Sequence, residues 1–120
     1  MVTGGAGYIG SHVVRELQNA GISVVVLDNL STGVRGFVPS DVPLLQTDLL
    51  DTASVRGALA EHSVTGVIHI AGFKFAGISV EKPLHTYQQN VTAMMSLLQA
   101  MESQEVGKIV FSSSSSVYGN

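Results

Sequence analysis

The segment Val2-Thr3-Gly4-Gly5-Ala6-Gly7-Tyr8-Ile9-Gly10 constrains the fold more than any other stretch of the chain. A β-branched strand end runs directly into glycines three apart (Gly4, Gly7, Gly10), and the same stretch holds Gly-x-Gly-x-x-Gly at Gly5, Gly7 and Gly10. Ile9, Val13 and Leu17 then follow four apart, which is one face of a helix. A strand that becomes a helix within one turn needs backbone free of Cβ contacts. Bare backbone there also lets a phosphate reach the N–H groups of the helix's first turn, where the helix dipole favours an anion.

Four more short apolar runs follow, at residues 23–27, Leu44–Gln46, 66–70 and 108–111, and all but Leu44–Gln46 carry β-branched residues. Several are apolar at consecutive positions, as in strands covered on both faces. Between them Val55 and Leu59 repeat the helical spacing, and Val91, Met94, Met95, Leu98 and Met101 form a stripe expected to pack in the core. Gly21 suits the C-cap of the first helix, Asp51 the N-cap of the second, and Pro83 the first turn of the third. Strands alternating with helices predict an α/β fold, a doubly wound parallel sheet of the Rossmann-like kind, with about five strands and three helices. Only the third helix is expected to cover the second face of that sheet.

The second strand ends at Asp28, 18 residues after Gly10, close to the ~20 expected for an acid that binds a dinucleotide's ribose. A carboxylate accepts from both ribose hydroxyls and repels a 2′-phosphate, so NAD is favoured over NADP. Arg35 is the only nearby cation and is read as a solvated loop residue.

Composition narrows the classes further. Hydrophobic residues at 45% exclude wholesale disorder. Six Lys+Arg against nine Asp+Glu, with no basic run, leave no source of attraction for a nucleic acid or an anionic membrane. The absence of cysteine excludes disulfides, thiolate ligands and a Cys nucleophile, and suits a reducing compartment, so a cytoplasmic protein is expected. The first residues lack the features of a secretory signal, and apolar runs such as Val24-Val25-Val26-Leu27 fall far short of the ~20 that cross a bilayer. His12, His62, His69 and His85 share no metal-ligand spacing, so they are read as core or surface and no metal is expected. Charged residues are 12% against a usual ~25%, as though surface that another part of the protein would cover were open. The isolated chain is therefore expected to be marginally stable or self-associating.

With these motifs on the page, the chain resembles the extended short-chain dehydrogenase/reductase family that acts on nucleotide sugars. Within it the resemblance is to the UDP-glucose 4-epimerases (UDP-galactose 4-epimerases). Its carriers are the glycine turn with Ser11-His12, then Leu27-Asp28-Asn29-Leu30-Ser31 and Asp48-Leu49. Further on come Val67-Ile68-His69-Ile70-Ala71-Gly72-Phe73-Lys74, Ser79-Val80-Glu81-Lys82-Pro83-Leu84, and Tyr87 with Asn90-Val91. The last is Phe111-Ser112-Ser113-Ser114 with Val117-Tyr118-Gly119. The block from Ala71 through Pro83 looks like the epimerases specifically, since related dehydratases and decarboxylases differ there. The resemblance implies NAD, with its pyrophosphate over Gly4, Gly7, Tyr8, Ile9 and Gly10. Asp28, Asn29, Leu30, Ser31, Thr32 and Gly33 would line the adenosine ribose. Asp48 and Leu49 would sit by the adenine, although Asp48 equally suits a cap on the following helix. Ile70, Ala71, Gly72, Phe73 and Lys74 would pass beside the cofactor, with Lys74 on the nicotinamide ribose or else simply solvated. Gln89 and Asn90 would be cofactor contacts or structural residues of the long helix.

The implied reaction is oxidation of the sugar C4 carbinol by NAD, rotation of the 4-keto intermediate and return of the hydride to its other face. Its proton chemistry needs a Tyr-x-x-x-Lys pair, in which the lysine lowers the tyrosine pKa, and a Ser or Thr hydroxyl. Ser114 is the expected catalytic hydroxyl, with Ser115 and Ser116 as fallbacks because a run of serines leaves the register open. Most of that run should serve backbone groups at a strand end. The chain contains no Tyr-x-x-x-Lys: His12 and Val91 stand four residues after Tyr8 and Tyr87, and nothing follows Tyr118 at that distance. Residues 1–120 are accordingly expected to be a partial dinucleotide-binding domain, inactive alone and lacking the lobe that binds the UDP-sugar. The complete protein would be a homodimeric isomerase of galactose metabolism. Two other readings stay open: a 4,6-dehydratase or decarboxylase of the same superfamily, and a non-catalytic NAD-binding fragment.

Overall fold

Strands apolar at successive positions need cover on both faces, and the chain supplies it by alternating them with helices. The computed structural model describes residues 1–119, apart from the side chains of residues 76, 115 and 116. Strands β1 (Val2–Thr3), β2 (Val26–Asp28), β3 (Leu44–Gln46), β4 (Val67–His69) and β5 (Ile109–Phe111) form one parallel sheet in the order β3-β2-β1-β4-β5. Helix α1 (Tyr8–Asn19) joins β1 to β2, and α2 (Thr52–Glu61) joins β3 to β4. The last connection holds α3 (Ala76–Glu81), α4 (Pro83–Tyr87), a π turn (Gln88–Thr92) and α5 (Ala93–Ser103). None of the helices described is long and apolar enough to cross a membrane.

The local signals act where the spacing predicts. Gly21, at φ +74°, ends α1 with its N–H on the Gln18 carbonyl, and the Ile22 N–H returns to Leu17. Asp51 caps α2 by accepting from the Ser54 N–H at 3.1 Å. Pro83 opens α4, and Lys82 before it leaves the helical region (φ −131°, ψ 64°), which separates α4 from α3. The long helix expected from Pro83 starts there and runs through the π turn to Ser103, and α3 ahead of it is an element the spacing does not show.

Three expectations are corrected. First, β2 ends at Asp28 as expected but starts at Val26, not at residue 23. Val26 is the register partner of both Val2 and Leu44, so the ladder starts there, and pairing with Gln46 carries it on to Asp28. Second, α2 shares the second face with α5: Val55 and Leu59 join Leu27, Val67, Leu97 and Met101 in the larger core, while α1 buries Val14 with Val2, Val26, Val38 and Val42 on the first. The chain steps outward from β1 to β3 and then returns past β1 to β4. A right-handed crossover run in the opposite direction lays its helix on the opposite face. Third, α5 buries Ala93, Ser96, Leu97, Ala100 and Met101, while Met95 is 56% exposed and Leu98 43%. Its small residues face α2 and let the two backbones approach, and the Ser96 hydroxyl donates to the Leu49 carbonyl and pairs with Thr52.

Candidate functional site

The reversal of direction between β1 and β4 opens a crevice at the C-terminal edge of the sheet, where doubly wound folds bind ligands. The glycine turn enters it from β1. Gly4 has φ +72°, and a Cβ there would fall 2.6 Å from the Ala71 nitrogen. A Cβ on Gly10 would fall 2.1 Å from the Gly4 carbonyl oxygen, so this glycine is what lets α1 close on the turn. Gly7 differs, because its backbone is extended (φ −81°, ψ 175°) and its Cβ would meet only the Gly4 oxygen, at 3.3 Å. Its bare side faces outward. No side chain caps α1, the first helical bond runs from the Ser11 N–H to Gly7, and Tyr8 and Ile9 are exposed. Residues 8–10 therefore offer their N–H groups to the crevice, an arrangement suited to a phosphate.

Asp28 is bonded to that turn. Its Oδ2 accepts from the Ala6 N–H at 3.0 Å and its Oδ1 from the Leu30 N–H at 2.8 Å, and the side chain is buried. Leu30 takes a left-handed conformation (φ +59°), and Asn29 holds the Ser31 N–H at 3.0 Å. The chain then passes exposed Thr32 and half-buried Gly33, and the Val34 N–H returns to the Ala6 carbonyl at 2.8 Å. Residues 28–34 thus wrap the glycine turn. Asn29 Nδ2 also donates to Asp48 Oδ2 at 3.0 Å, which puts Asp48 beside this segment. Asp48 does not cap α2; its Oδ1 accepts from the Leu50 N–H in its own turn. The Leu49 side chain is buried in the core, so it presents no side chain to the crevice. Arg35 is engaged with Gln46, Nη2 to Oε1 at 3.5 Å.

The third segment leaves β4. The Ile70 and Ala71 N–H groups both donate to the Thr3 carbonyl at 3.1 Å. Phe73 is held by Asn90 through both of its backbone groups, and its ring meets His85 edge-on at 5.0 Å. Lys74 is exposed beside it, and Gln89 is half-buried in the π turn. From β5 the Ser112 N–H donates to the His69 carbonyl at 3.0 Å, and exposed Ser114 follows two residues on. The side chains of Ser115 and Ser116 lie outside the described residues. Sequence reasoning missed the buried pair Thr3 and His69, joined at 2.7 Å between Oγ1 and Nδ1. Two polar residues at the ends of apolar strands were its only signal.

A doubly wound parallel sheet whose glycine turn and strand-end acid meet at the switch point defines a Rossmann-type domain. The chain belongs to the NAD dependent epimerase/dehydratase family, which it matches over residues 1–120. It is 48% identical over 126 residues to the UDP-glucose 4-epimerase of Bacillus subtilis, covering 99% of this chain and 37% of that protein. With the UDP-glucose 4-epimerase of Mus musculus the identity is 44% over 133 residues, covering 100% and 38%. A crystal structure of Thermus thermophilus UDP-glucose 4-epimerase in complex with NAD superposes with a TM-score of 0.91 at 43% identity, covering 94% of this chain and 36% of that one. The chain therefore spans little more than a third of the length of these relatives.

Proposed function

We propose that residues 1–120 are the NAD-binding part of a UDP-glucose 4-epimerase that interconverts UDP-glucose and UDP-galactose. One observation carries the reading: the Asp28 carboxylate accepts from Ala6 inside the glycine turn, so a phosphate cradle and a ribose-binding acid are held as one unit. The residues fit the cofactor. The free N–H groups at the start of α1 take the pyrophosphate, and the bare face of Gly7 leaves room for it. Each Asp28 oxygen accepts one backbone N–H and keeps a lone pair for a ribose hydroxyl. That acid repels a 2′-phosphate, and Arg35 is turned to Gln46, so NAD is preferred over NADP. Asp48 accepts from the adenine amino group, with Leu49 contributing backbone only. Lys74 donates to the nicotinamide ribose and Ser114 hydrogen-bonds the sugar hydroxyl. Bound NAD supplies the hydride acceptor and donor for the sugar C4.

The UDP-sugar, a homodimeric assembly, a cytoplasmic location and a place in galactose metabolism belong to the same proposal for the complete protein. A second reading, a unit that binds NAD without turnover, is favoured by the absence of Tyr-x-x-x-Lys from these 120 residues. Calorimetric titration of the chain with NAD and NADP tests the binding. Saturable NAD binding, weaker for NADP and weakened about tenfold or more by Gly7→Val, is the expected result. A folded wild-type chain that binds neither dinucleotide would sink the proposal.

A further inference from the structure

Asn90 lies within the π turn Gln88–Thr92, where the wider backbone changes the direction of side chains along the rod of α4 and α5. Its direction is specific. Oδ1 accepts from the Phe73 N–H at 2.7 Å, and Nδ2 donates to the Phe73 carbonyl at 2.9 Å. One carboxamide thereby holds both backbone groups of a loop residue, as a neighbouring strand would. The fit leaves little slack, since a Cβ on Gly72 would stand 3.3 Å from Asn90 Oδ1. At its other end the loop is tied to β1 through the Thr3 carbonyl, and Ala71 packs against bare Gly4. Residues 70–74 are thus pinned to the glycine turn at one end and to the π turn at the other. Lys74, exposed, is the next residue after the second pin.

We infer that Asn90 is a positioning residue: it acts on NAD through residues 70–74, fixing where Lys74 stands relative to the glycine turn, and does not itself touch the cofactor. The inference rests on the NAD-binding reading and replaces, for Asn90, the direct contact suggested by the family resemblance. Chemistry selects the side chain. A carboxamide offers an acceptor and a donor side by side, Asp would set a negative oxygen against the Phe73 carbonyl, and Ala offers neither group.

A double-mutant cycle on the chain, Lys74→Ala with Asn90→Ala, separates the two roles when NAD affinity is read by calorimetry. Each single change is expected to weaken NAD about tenfold, and the double change also about tenfold, because a displaced loop without Lys74 has nothing left to misplace. Exchange of the Phe73 amide with solvent should quicken in Asn90→Ala while the melting temperature holds, a pattern that a purely structural role would reverse. Asn90→Asp, which keeps the acceptor, should fall between wild type and Asn90→Ala, and it completes the same cycle if Asn90→Ala does not fold. Effects that add to about a hundredfold mean direct contact and overturn the inference, as does wild-type affinity in Asn90→Ala. A wild-type chain that does not bind NAD overturns the functional reading and this one with it, whereas binding with additive effects overturns this one alone.

Discussion

Thr3 and His69, register partners on β1 and β4, share a hydrogen bond of 2.7 Å in the interior of the sheet. Burial holds the His69 imidazole below its ordinary pKa, and the neutral ring stacks on Phe111 with centroids 5.8 Å apart. The pair joins the strand that feeds the glycine turn to the strand that feeds residues 70–74. Through the His69 carbonyl and Ser112 it also reaches the start of the serine run.

His69→Phe keeps a ring against Phe111 but leaves the Thr3 hydroxyl buried without its partner, which should destabilise the chain by about 1–3 kcal/mol. Adding Thr3→Val removes the orphaned group and should restore most of that stability in urea melts. The pH dependence has a definite sign. Because the folded pKa lies below the unfolded one, the folded state loses nothing above the ordinary histidine range of about 6.5. As pH falls through it, the unfolded chain takes up protons first and stability drops. Wild type should therefore lose more stability between pH 7.5 and pH 5 than the Thr3→Val, His69→Phe chain, and equal losses would contradict the assignment.

Gly10 and Gly7 should separate folding from binding. Gly10→Ala drives a methyl group into the Gly4 carbonyl and should destabilise by about 3 kcal/mol. Gly7→Ala meets the same oxygen at 3.3 Å in an extended backbone, so its melt should stay within about 0.5 kcal/mol of wild type. Its NAD affinity should nevertheless fall. Thermal melts beside calorimetric titrations decide the matter, and matched losses in both variants would refute the distinction.

Gly33 guards the position of Asp28. A Cβ there would fall 2.8 Å from Asp28 Oδ1 and 2.9 Å from the Ala6 Cβ. Gly33→Ala should displace the carboxylate, weaken NAD about tenfold and narrow the preference over NADP. An unchanged ratio of the two dissociation constants would show that Asp28 does not set the preference.

The two faces of α5 predict opposite outcomes. Leu97→Ala empties a fully buried site and should cost about 2–5 kcal/mol, whereas Met95→Ala should stay within about 0.5 kcal/mol. Val91, Met95 and Leu98 are exposed, and so are Val110 and Phe111 on the edge strand β5. Apolar surface of this kind promotes association. Sedimentation should show wild type self-associating as concentration rises and Met95→Lys with Leu98→Lys shifted toward monomer. A wild-type chain that stays monomeric throughout would disprove the role of this face.

The sequence by itself determined what acts over a few residues: the glycine turn, the strand-end Asp28, the Gly21 and Asp51 caps, Pro83 at a helix start, and a parallel sheet from the alternation of elements. The turn and the caps depend on steric freedom or hydrogen bonds within one or two turns of chain, and Asp28 and the sheet show in the spacing and alternation of the elements. Only the tertiary structure decided that α2 lies opposite α1, that β2 starts at Val26, and that α5 buries Ala93 and Ala100 in place of Met95 and Leu98. It also decided that Asn90 holds Phe73 across 17 positions, and Thr3 holds His69 across 66. Apolar periodicity weights large side chains and gives none to Ala or Ser, yet close helix packing selects the small ones. Polar partners far apart in the chain are chosen by strand order and register, which the sheet settles as a whole.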